Sequence, residues 1–201
     1  MTEPILQPLI HSESATLDRL RARLAAAADQ EDELDIAYRT IDSPLGSLLL
    51  AATPRGLLRV AYQRENHEQV LQSLAEQVSP KILQTSRRLE LATRELEQYF
   101  EGRRRTFDVP LDFQLVRGFQ RQVLAHLPQI GYGQTESYAQ VAVAAGSPRA
   151  VRAVGTACAR NPLPLIVPCH RVVRADGSFG GYIGGEDAKR ALLNLETNLG
   201  N

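Results

Sequence analysis

The segment that most constrains the fold is residues 161–168 (NPLPLIVP), an apolar run broken by three prolines. Proline has no backbone N–H and fixes its own φ angle, so the run fits neither the interior of a helix nor a central strand. An apolar segment without regular structure is best accommodated as a stiff, buried loop. A residue that directly follows such a loop is held in a fixed position inside the protein.

Cys169 and His170 come directly after this loop, and Arg171 follows them. A thiol has an ordinary pKa of about 8.5, so at neutral pH it needs a nearby base or positive charge to become a nucleophilic thiolate. His170 and Arg171 are candidates for that part. The alternative is a buried structural cysteine, since cysteine is among the most buried residue types. A structural cysteine usually lies on a regular helix or strand, however. Because Cys169 follows a fixed loop instead, we favour the interpretation that it is a reactive cysteine.

The composition limits where the protein works and what it can hold. The chain has 201 residues, a formal net charge of zero and two cysteines, Cys158 and Cys169. No segment resembles a membrane span or a secretory signal, which predicts a cytoplasmic protein. The spacing of the cysteines relative to His170 matches no zinc-ligand pattern. We therefore expect two reduced thiols, no metal and no cofactor.

The charges are unevenly distributed along the chain. Residues 1–40 are acidic, whereas after residue 116 nine Lys and Arg outnumber five Asp and Glu. A basic face on the second half would suit a nucleic acid. A solvated surface of mixed charge explains the same excess equally well, so the charge alone leaves the partner open.

The first 112 residues predict an extension followed by a small α+β domain. Residues 14–28 have the spacing of an amphipathic helix, and the acidic residues 29–35 are typical of a linker, so the extension covers 1–35. Turn signals and apolar patterns then divide residues 36–112 into short elements. We expect strands at 36–41, 46–52, 57–62 and 106–111, the first three as an antiparallel meander, and helices at 65–78 and 87–100.

Residues 113–201 are predicted to be mostly helical, with helices at 116–127, 138–145, 148–160 and 187–196. The second and third are joined as a helix-turn-helix, with Ser147 as the expected N-cap and Pro148 at the first helical position. The third combines small residues with arginines. Small side chains allow close approach to a surface and arginines neutralise phosphates, although tight packing against the core explains this composition equally well.

Five motifs, in this order and spacing, resemble the methylated-DNA–protein-cysteine S-methyltransferases, also called O6-alkylguanine-DNA alkyltransferases. They are SY at 137–138, RAVRAVG at 149–155, NP at 161–162, PCHRVV at 168–173 and GYIGG at 181–185. The resemblance covers residues 116–196 closely and 36–112 in outline. It implies an α+β protein: a small antiparallel-sheet domain, ribonuclease H-like, over 36–112, then a helical, winged helix-turn-helix-like domain over 113–201.

The resemblance implies DNA repair by a single-turnover transfer. Cys169 would take a methyl or larger alkyl group from O6 of guanine and keep it as a thioether; attack at O4 of thymine is left open. His170 would deprotonate the thiol through a water, and Glu196 would orient His170. Tyr138 would donate a proton to N3 of the leaving guanine.

The resemblance also implies how DNA is held. The damaged nucleotide has to leave the stacked duplex, and Arg152 occupies the position of the family's intercalating arginine. Small residues would let this helix enter the minor groove. The DNA-contacting residues so implied are Arg149, Arg152, Ala153 and Ser137. Those of the base pocket are Asn161, Val172, Tyr182 and Ile183. The expected partner is double-stranded DNA containing O6-alkylguanine, with no membrane, no obligate protein partner and a monomeric protein.

Three other functions are weighed against this one. A non-enzymatic sensor of alkyl lesions would lack a reactive cysteine, which Cys169 argues against. A helix-turn-helix DNA-binding regulator would explain the helices and arginines but not the fixed thiol. A cysteine hydrolase is disfavoured because adjacent residues such as Cys169 and His170 seldom face each other and no oxyanion-hole motif is evident. Within the family reading, Ile183 is larger than the small polar residue of some relatives, which predicts a restriction on bulky adducts.

Overall fold

The computed structural model describes residues 34–198, together with Thr16 and Leu20. The helix predicted at 14–28 therefore lies outside the described residues except for those two positions, and the linker at 29–35 lies outside them up to residue 33. Within the described part of the chain, no helix is long and apolar enough to cross a membrane.

The first half of the molecule is a four-stranded sheet covered by two helices. The strands are β1 (Ile36–Ile41), β2 (Leu48–Thr53), β3 (Gly56–Tyr62) and β4 (Ile82–Gln84), in the spatial order β3-β2-β1-β4. Helix α1 (His67–Gln77) connects β3 to β4, and α2 (Glu90–Phe100) follows. The predicted antiparallel meander of the first three strands is confirmed.

Two features of this half differ from the prediction. Strand β4 was missed because three residues are too few to show an alternating pattern; it pairs in parallel with β1, so the sheet is mixed. The strand predicted at 106–111 does not form, and only an isolated bridge joins Leu57 to Leu111. Pro110 has no N–H for a ladder, and its carbonyl instead accepts from Leu57 N at 2.7 Å. Gly56 makes this approach possible, because a Cβ there would lie 2.4 Å from the Pro110 oxygen.

The second half is mainly helical. Its helices are α3 (Gly118–His126), α4 (Tyr138–Ala144), α5 (Val151–Ala159) and α6 (Glu186–Asn198). Strands β5 (Glu136–Ser137) and β6 (Val172–Val173) form a two-stranded parallel sheet beside them. The predicted α+β class, with a sheet half followed by a helical half, is confirmed.

The turn between α4 and α5 corrects the predicted helix start. Ser147 is not the N-cap and Pro148 is not helical; α5 begins at Val151, and its N-cap is Ala150. Ser147 is used by the preceding helix instead. Gly146 adopts a left-handed φ of 73°, and Ser147 N donates to Ala142 O at 2.9 Å, which is the Schellman closure of α4. Helix α5 therefore begins three residues later than predicted, at position 151 instead of 148.

The two halves share one apolar core. In the first half, Leu48 of the sheet and Leu96 of α2 are buried. They belong to the same apolar cluster as Val154, Leu165 and Cys169 of the helical half. The outer strand β3 also bonds directly across the boundary, since Val60 N donates to Pro162 O at 2.8 Å. The proline-rich segment is thus fixed by the sheet on one side and by the helices on the other.

Candidate active site

The predicted stiff, buried loop is present. Every residue of 161–168 is buried. Leu165 is 1% exposed and has a φ of 74°, a left-handed conformation that a non-glycine residue rarely adopts unless its surroundings enforce it. The backbone closes on itself, with Val167 N donating to Leu163 O at 2.8 Å. The segment before Cys169 therefore has little freedom to move.

Cys169 begins a single 3₁₀ turn, Cys169–Arg171, and its side chain is held by Asn161. Asn161 is fully buried, and its Nδ2 donates to Val167 O at 2.8 Å and to Sγ of Cys169 at 3.2 Å. Its Oδ1 accepts from Leu163 N at 3.0 Å. Because all parts of the amide are used, Asn161 fixes the position of the sulfur relative to the loop.

The thiol of Cys169 is protonated at neutral pH. Burial raises its pKa from 9.0 to about 11, although the hydrogen bond from Asn161 and the positive charge of Lys189 act in the opposite direction. Such a pKa leaves a thiolate fraction of about one in ten thousand at pH 7. Nucleophilic chemistry at Cys169 therefore requires a base.

His170 is placed and polarised for that task. It is fully buried, and its Nε2 lies 2.9 Å from Oε1 of Glu196. A carboxylate only accepts, so Nε2 carries the hydrogen and Nδ1 has a lone pair. Nδ1 is buried and has no hydrogen-bond partner among the described residues. Burial lowers the pKa of His170, which keeps the imidazole neutral and able to take a proton.

Glu196 is a charged carboxylate at the centre of a buried hydrogen-bond network. Arg171 donates to it from Nε at 2.8 Å and from Nη2 at 2.9 Å, Tyr99 from its hydroxyl at 2.7 Å, and Gly133 from its backbone N at 3.1 Å. Burial alone would raise the pKa of Glu196, but the hydrogen bonds and charges of His170 and Arg171 hold it far below its ordinary value. The carboxylate therefore orients His170 rigidly.

Tyr138 faces the glycine-rich loop from the start of α4. Ser137 is the N-cap of that helix and forms a capping box with Gln140, which fixes the first turn. A Cβ on Gly180 would lie 2.1 Å from the Tyr138 hydroxyl, so a larger residue there would have to displace the Tyr138 ring. Burial raises the pKa of Tyr138 to about 12, and its phenol is protonated at neutral pH.

Two of the residues expected to line a base pocket, Asn161 and Tyr182, contact Cys169 and His170. The ring of Tyr182 meets that of His170 edge to face, with centroids 6.2 Å apart. Val172 is fully buried, and Ile183 is half-buried against the main core. The structure thus brings Asn161 and Tyr182 together with Cys169 and His170, and the base pocket itself stays a prediction.

The predicted DNA-contacting residues lie at the surface instead. Arg149, Arg152 and Ala153 are exposed and Ser137 is half-buried, whereas Val154 and Ala157 of α5 pack into the core. Helix α5 therefore presents a free face of small and basic residues.

Two contributors to the site were missed by the sequence reasoning. Lys189 is fully buried and its Nζ donates to Val172 O at 2.5 Å. The sequence did contain a signal, because Lys189, Leu192 and Glu196 share one face of α6. Charged residues on the buried face of a helix are rare unless they have a partner, so Lys189 could have been predicted to contribute to the site. Tyr99 gave no such signal, since it lies 97 residues before Glu196. The described residues hold no group of three or more potential metal ligands.

Two family models cover most of the chain. Residues 118–198 match the DNA binding domain of 6-O-methylguanine DNA methyltransferase, and residues 36–113 match its ribonuclease-like domain. A curated relative, the methylated-DNA–protein-cysteine methyltransferase of Methanosarcina barkeri, is 38% identical over 161 residues, or 80% of this chain and 97% of its own.

Solved structures agree with this assignment. The chain is similar to the crystal structure of Mycobacterium tuberculosis O6-methylguanine methyltransferase, with a TM-score of 0.70 and 40% identity over 81% of this chain and 93% of that one. The same enzyme in complex with DNA gives a TM-score of 0.67 at 40% identity, over 81% and 94% of the two chains. A family model on each half of the chain, together with these relatives, shows the family. The chain belongs to the 6-O-methylguanine DNA methyltransferase family.

Proposed function

We propose that this protein repairs DNA by transferring a methyl or larger alkyl group from O6 of guanine to Sγ of Cys169, once per protein molecule. Family membership and the DNA-bound relative support this reaction and a duplex DNA partner. The observation that carries the proposal is the buried thiol of Cys169, held by Asn161 and followed directly by the His170–Glu196 pair.

The first step produces the thiolate. The lone pair on Nδ1 of His170 would receive the thiol proton through a bridging water, which fits a buried nitrogen that has no partner in the part of the chain that the structure describes. The charged Glu196 would stabilise the imidazolium that results. The ammonium of Lys189 favours the thiolate in the same pocket.

The second step is the transfer itself. The thiolate attacks the alkyl carbon, so that an S–C bond forms while the C–O6 bond breaks and its electron pair passes to guanine. Tyr138, protonated at neutral pH, would give a proton to guanine N3. The S–C bond of the thioether persists, because a thiolate is a poor leaving group from an unactivated alkyl carbon, so the protein is consumed after one transfer. The phenolate left on Tyr138 takes a proton back from solvent while the imidazolium of His170 loses one, so the protons balance and no external oxidant, reductant or cofactor is needed.

The base has to be extruded from the duplex before attack, at a cost of a few kcal/mol. The exposed Arg152 would fill the gap left in the stack, and Ala153 would let α5 lie close to the minor groove. Arg149 and Ser137 complete the proposed DNA contacts. The extruded base would lie against Asn161, Val172, Tyr182 and Ile183.

The domain division and the location of the protein belong to the same proposal. We assign residues 1–35 to an extension, 36–112 to a sheet domain and 113–201 to the domain that carries the reactive thiol. A reactive Cys169 has to stay reduced, which suits the cytoplasm.

Mass spectrometry tests the proposed reaction. The protein and a Cys169→Ser variant are incubated with duplex DNA that contains one O6-methylguanine, and intact masses and peptides are measured. We expect one methyl group on Cys169, an equal loss of the lesion and no second turnover; the serine variant should gain nothing. Tight binding to the lesion without a mass change would indicate a damage sensor. Binding that ignores the lesion would indicate a helix-turn-helix regulator.

A further inference from the structure

Tyr62, the last residue of β3, contacts the active-site loop from the sheet half of the molecule. Its side chain is almost completely buried, and its hydroxyl lies 2.8 Å from the hydroxyl of Tyr182. The two rings meet edge to face, with centroids 5.8 Å apart. Since Tyr182 in turn packs against His170, Tyr62 is one side chain removed from the proposed base.

The backbone of the glycine-rich loop also rests on Tyr62. A Cβ on Gly184 would lie 2.7 Å from Cζ of the Tyr62 ring, closer than any real carbon contact. Glycine at position 184 therefore lets the loop settle directly on the aromatic ring. The ring and the hydroxyl of Tyr62 fix two neighbouring points of the loop, Gly184 and Tyr182.

Tyr62 is itself held in place by a local network. Its backbone N donates to Oε1 of Glu65 at 2.8 Å, and Glu65 forms an ion pair with Arg59. Nη1 of Arg59 donates to the carbonyl of Asn161 at 3.3 Å. Asn161 holds the sulfur of Cys169, so residues 59–65 contact the surroundings of the thiol on two sides.

The hydroxyl pair persists over the pH range in which the protein works. Burial raises the pKa of Tyr62 and the pKa of Tyr182 well above the ordinary value, so both phenols are neutral and one donates to the other. The hydrogen bond is shielded from water at Tyr62, and a shielded bond with good geometry restricts the side chains that it joins.

We propose that Tyr62 is a positioning residue for alkyl transfer. Through its hydroxyl it holds Tyr182, and with it the glycine-rich loop, at the distance from Cys169 and His170 that the reaction requires. The sheet half thereby supports, through Tyr62 as through Tyr99, a reactive site whose proposed catalytic residues all come from the helical half. The inference rests on the proposed function, because it concerns the rate of that reaction.

The test removes one oxygen atom. Tyr62→Phe keeps the ring under Gly184 and deletes only the hydroxyl, and Tyr38→Phe is the matched control. Tyr38 lies half-buried on β1 and packs against a separate, smaller apolar cluster. We measure the single-turnover rate of methyl transfer from an O6-methylguanine duplex, the Kd for undamaged duplex and the Tm.

Tyr62→Phe should slow transfer by about 5- to 20-fold. Only one neutral hydrogen bond is lost, but its loss lets the reacting groups move out of position, and such misplacement slows a reaction strongly. Its Kd for undamaged duplex should stay within about twofold, and Tyr38→Phe should match the parent protein in all three measurements. A Tyr62→Phe protein that transfers at the parent rate overturns the inference. A rate that falls only in proportion to the folded fraction also overturns it.

Two further arms show how Tyr62 acts. If Tyr62 works through Tyr182, the double variant Tyr62→Phe/Tyr182→Phe transfers no more slowly than Tyr182→Phe alone, whereas independent, multiplying losses contradict that route. Labelling of Cys169 by iodoacetamide, located by peptide mass, gives a readout without DNA. A loosened loop should speed labelling several-fold while it slows methyl transfer. If the parent protein transfers no methyl group, the proposed function fails, and the labelling rate alone then decides whether Tyr62 positions the loop.

Discussion

The loop that carries Cys169 and the helix that carries Arg152 are neighbours in the chain, yet they are built in opposite ways. Residues 161–173 are buried throughout, and Asn161, Arg171 and the backbone between them are tied by hydrogen bonds. The exposed face of α5 makes few contacts, with small and basic side chains in solvent. The loop of Cys169 is therefore preorganised in the absence of a ligand, whereas the exposed face of α5 is accessible for binding one.

This difference predicts two kinds of response to substitution. In the buried loop, one change disturbs packing, a hydrogen-bond network and the reactive thiol together, so stability and chemistry should fall together. On the exposed face of α5, a change should reach only the interaction with DNA. The four experiments that follow test this separation, from the largest expected effect to the smallest.

Glu196→Gln should have the largest effect. It removes the charge that pairs with Arg171 and orients His170, which leaves a buried guanidinium without its counter-ion. Breaking a buried pair in this way costs about 3–5 kcal/mol, and we expect unfolding free energy to fall by that amount. Methyl transfer, measured in single turnover below the new Tm, should slow by at least about 100-fold.

Glu95→Gln is the matched control for that variant. Glu95 is also buried and accepts from the backbone of Asp108 and Val109, but it lies in the sheet half and faces Arg104. It should lose stability while its folded fraction transfers at the parent rate. Equal loss of transfer in both variants would mean that Glu196 matters only through stability.

Arg152→Ala should act in the opposite way. Its side chain is exposed, so the unfolding free energy should change by no more than about 0.5 kcal/mol. Transfer from a duplex should slow by about 10- to 100-fold. Extruding the base costs a few kcal/mol, and without Arg152 no side chain fills the gap in the stack to offset that cost. Transfer from the same lesion in single-stranded DNA should change little. Arg94→Ala, an exposed arginine on α2, should leave both rates unchanged; a duplex-specific loss there would break the contrast.

Alkylation of the protein is a smaller perturbation of the buried region. A methyl group on Sγ adds volume to a pocket where Cys169 is 2% exposed, and overpacking of this kind typically costs about 1–3 kcal/mol. For a chain of this size the Tm should fall by about 2–12 °C. Calorimetry of the fully alkylated protein measures this, and an unchanged Tm would show that the pocket has room to spare.

The smallest effect concerns alkaline pH. The pKa of Cys169 is raised from 9.0 to about 11 by burial, so the folded protein holds the thiol proton more tightly than the unfolded chain. The stability that this contributes is complete below pH 9 and is lost as the pH rises toward 11. Relative to Cys169→Ser, the parent protein should lose about 1 kcal/mol between pH 8 and pH 10. Parallel stability curves for the two proteins would refute the raised pKa.

Short-range patterns correctly predicted the buried loop before Cys169 and the antiparallel meander. The loop interrupted by prolines could be predicted because proline restricts the backbone of its own residue and of its immediate neighbours. Cys169 and His170 follow this loop directly. The meander at 36–62 was legible because its turns are local. These are cases in which the physical cause lies within a few residues of its effect.

The remaining features depend on partners far away in the chain. Strand β4 exists because β1, 46 residues earlier, offers it an edge, as in the pairing of Ile82 with Ile36. Ser147 was predicted as an N-cap on local grounds and lost that place to the closure of α4. Tyr62 and Tyr99 reach the site only through tertiary packing. No local pattern carries that information.

The outer edge of β3 has a further consequence for any attempt to divide the molecule. Its backbone groups at Leu57 and Val60 are satisfied by Pro110 and Pro162, so the chain itself covers what would otherwise be an open strand edge. An uncovered edge is a template for association with other chains. A fragment ending before residue 110 would expose that edge, and it should precipitate or form strand-paired oligomers on expression. The loop before Cys169, together with the segment around Pro110, in this sense also protects the sheet from pairing with other chains.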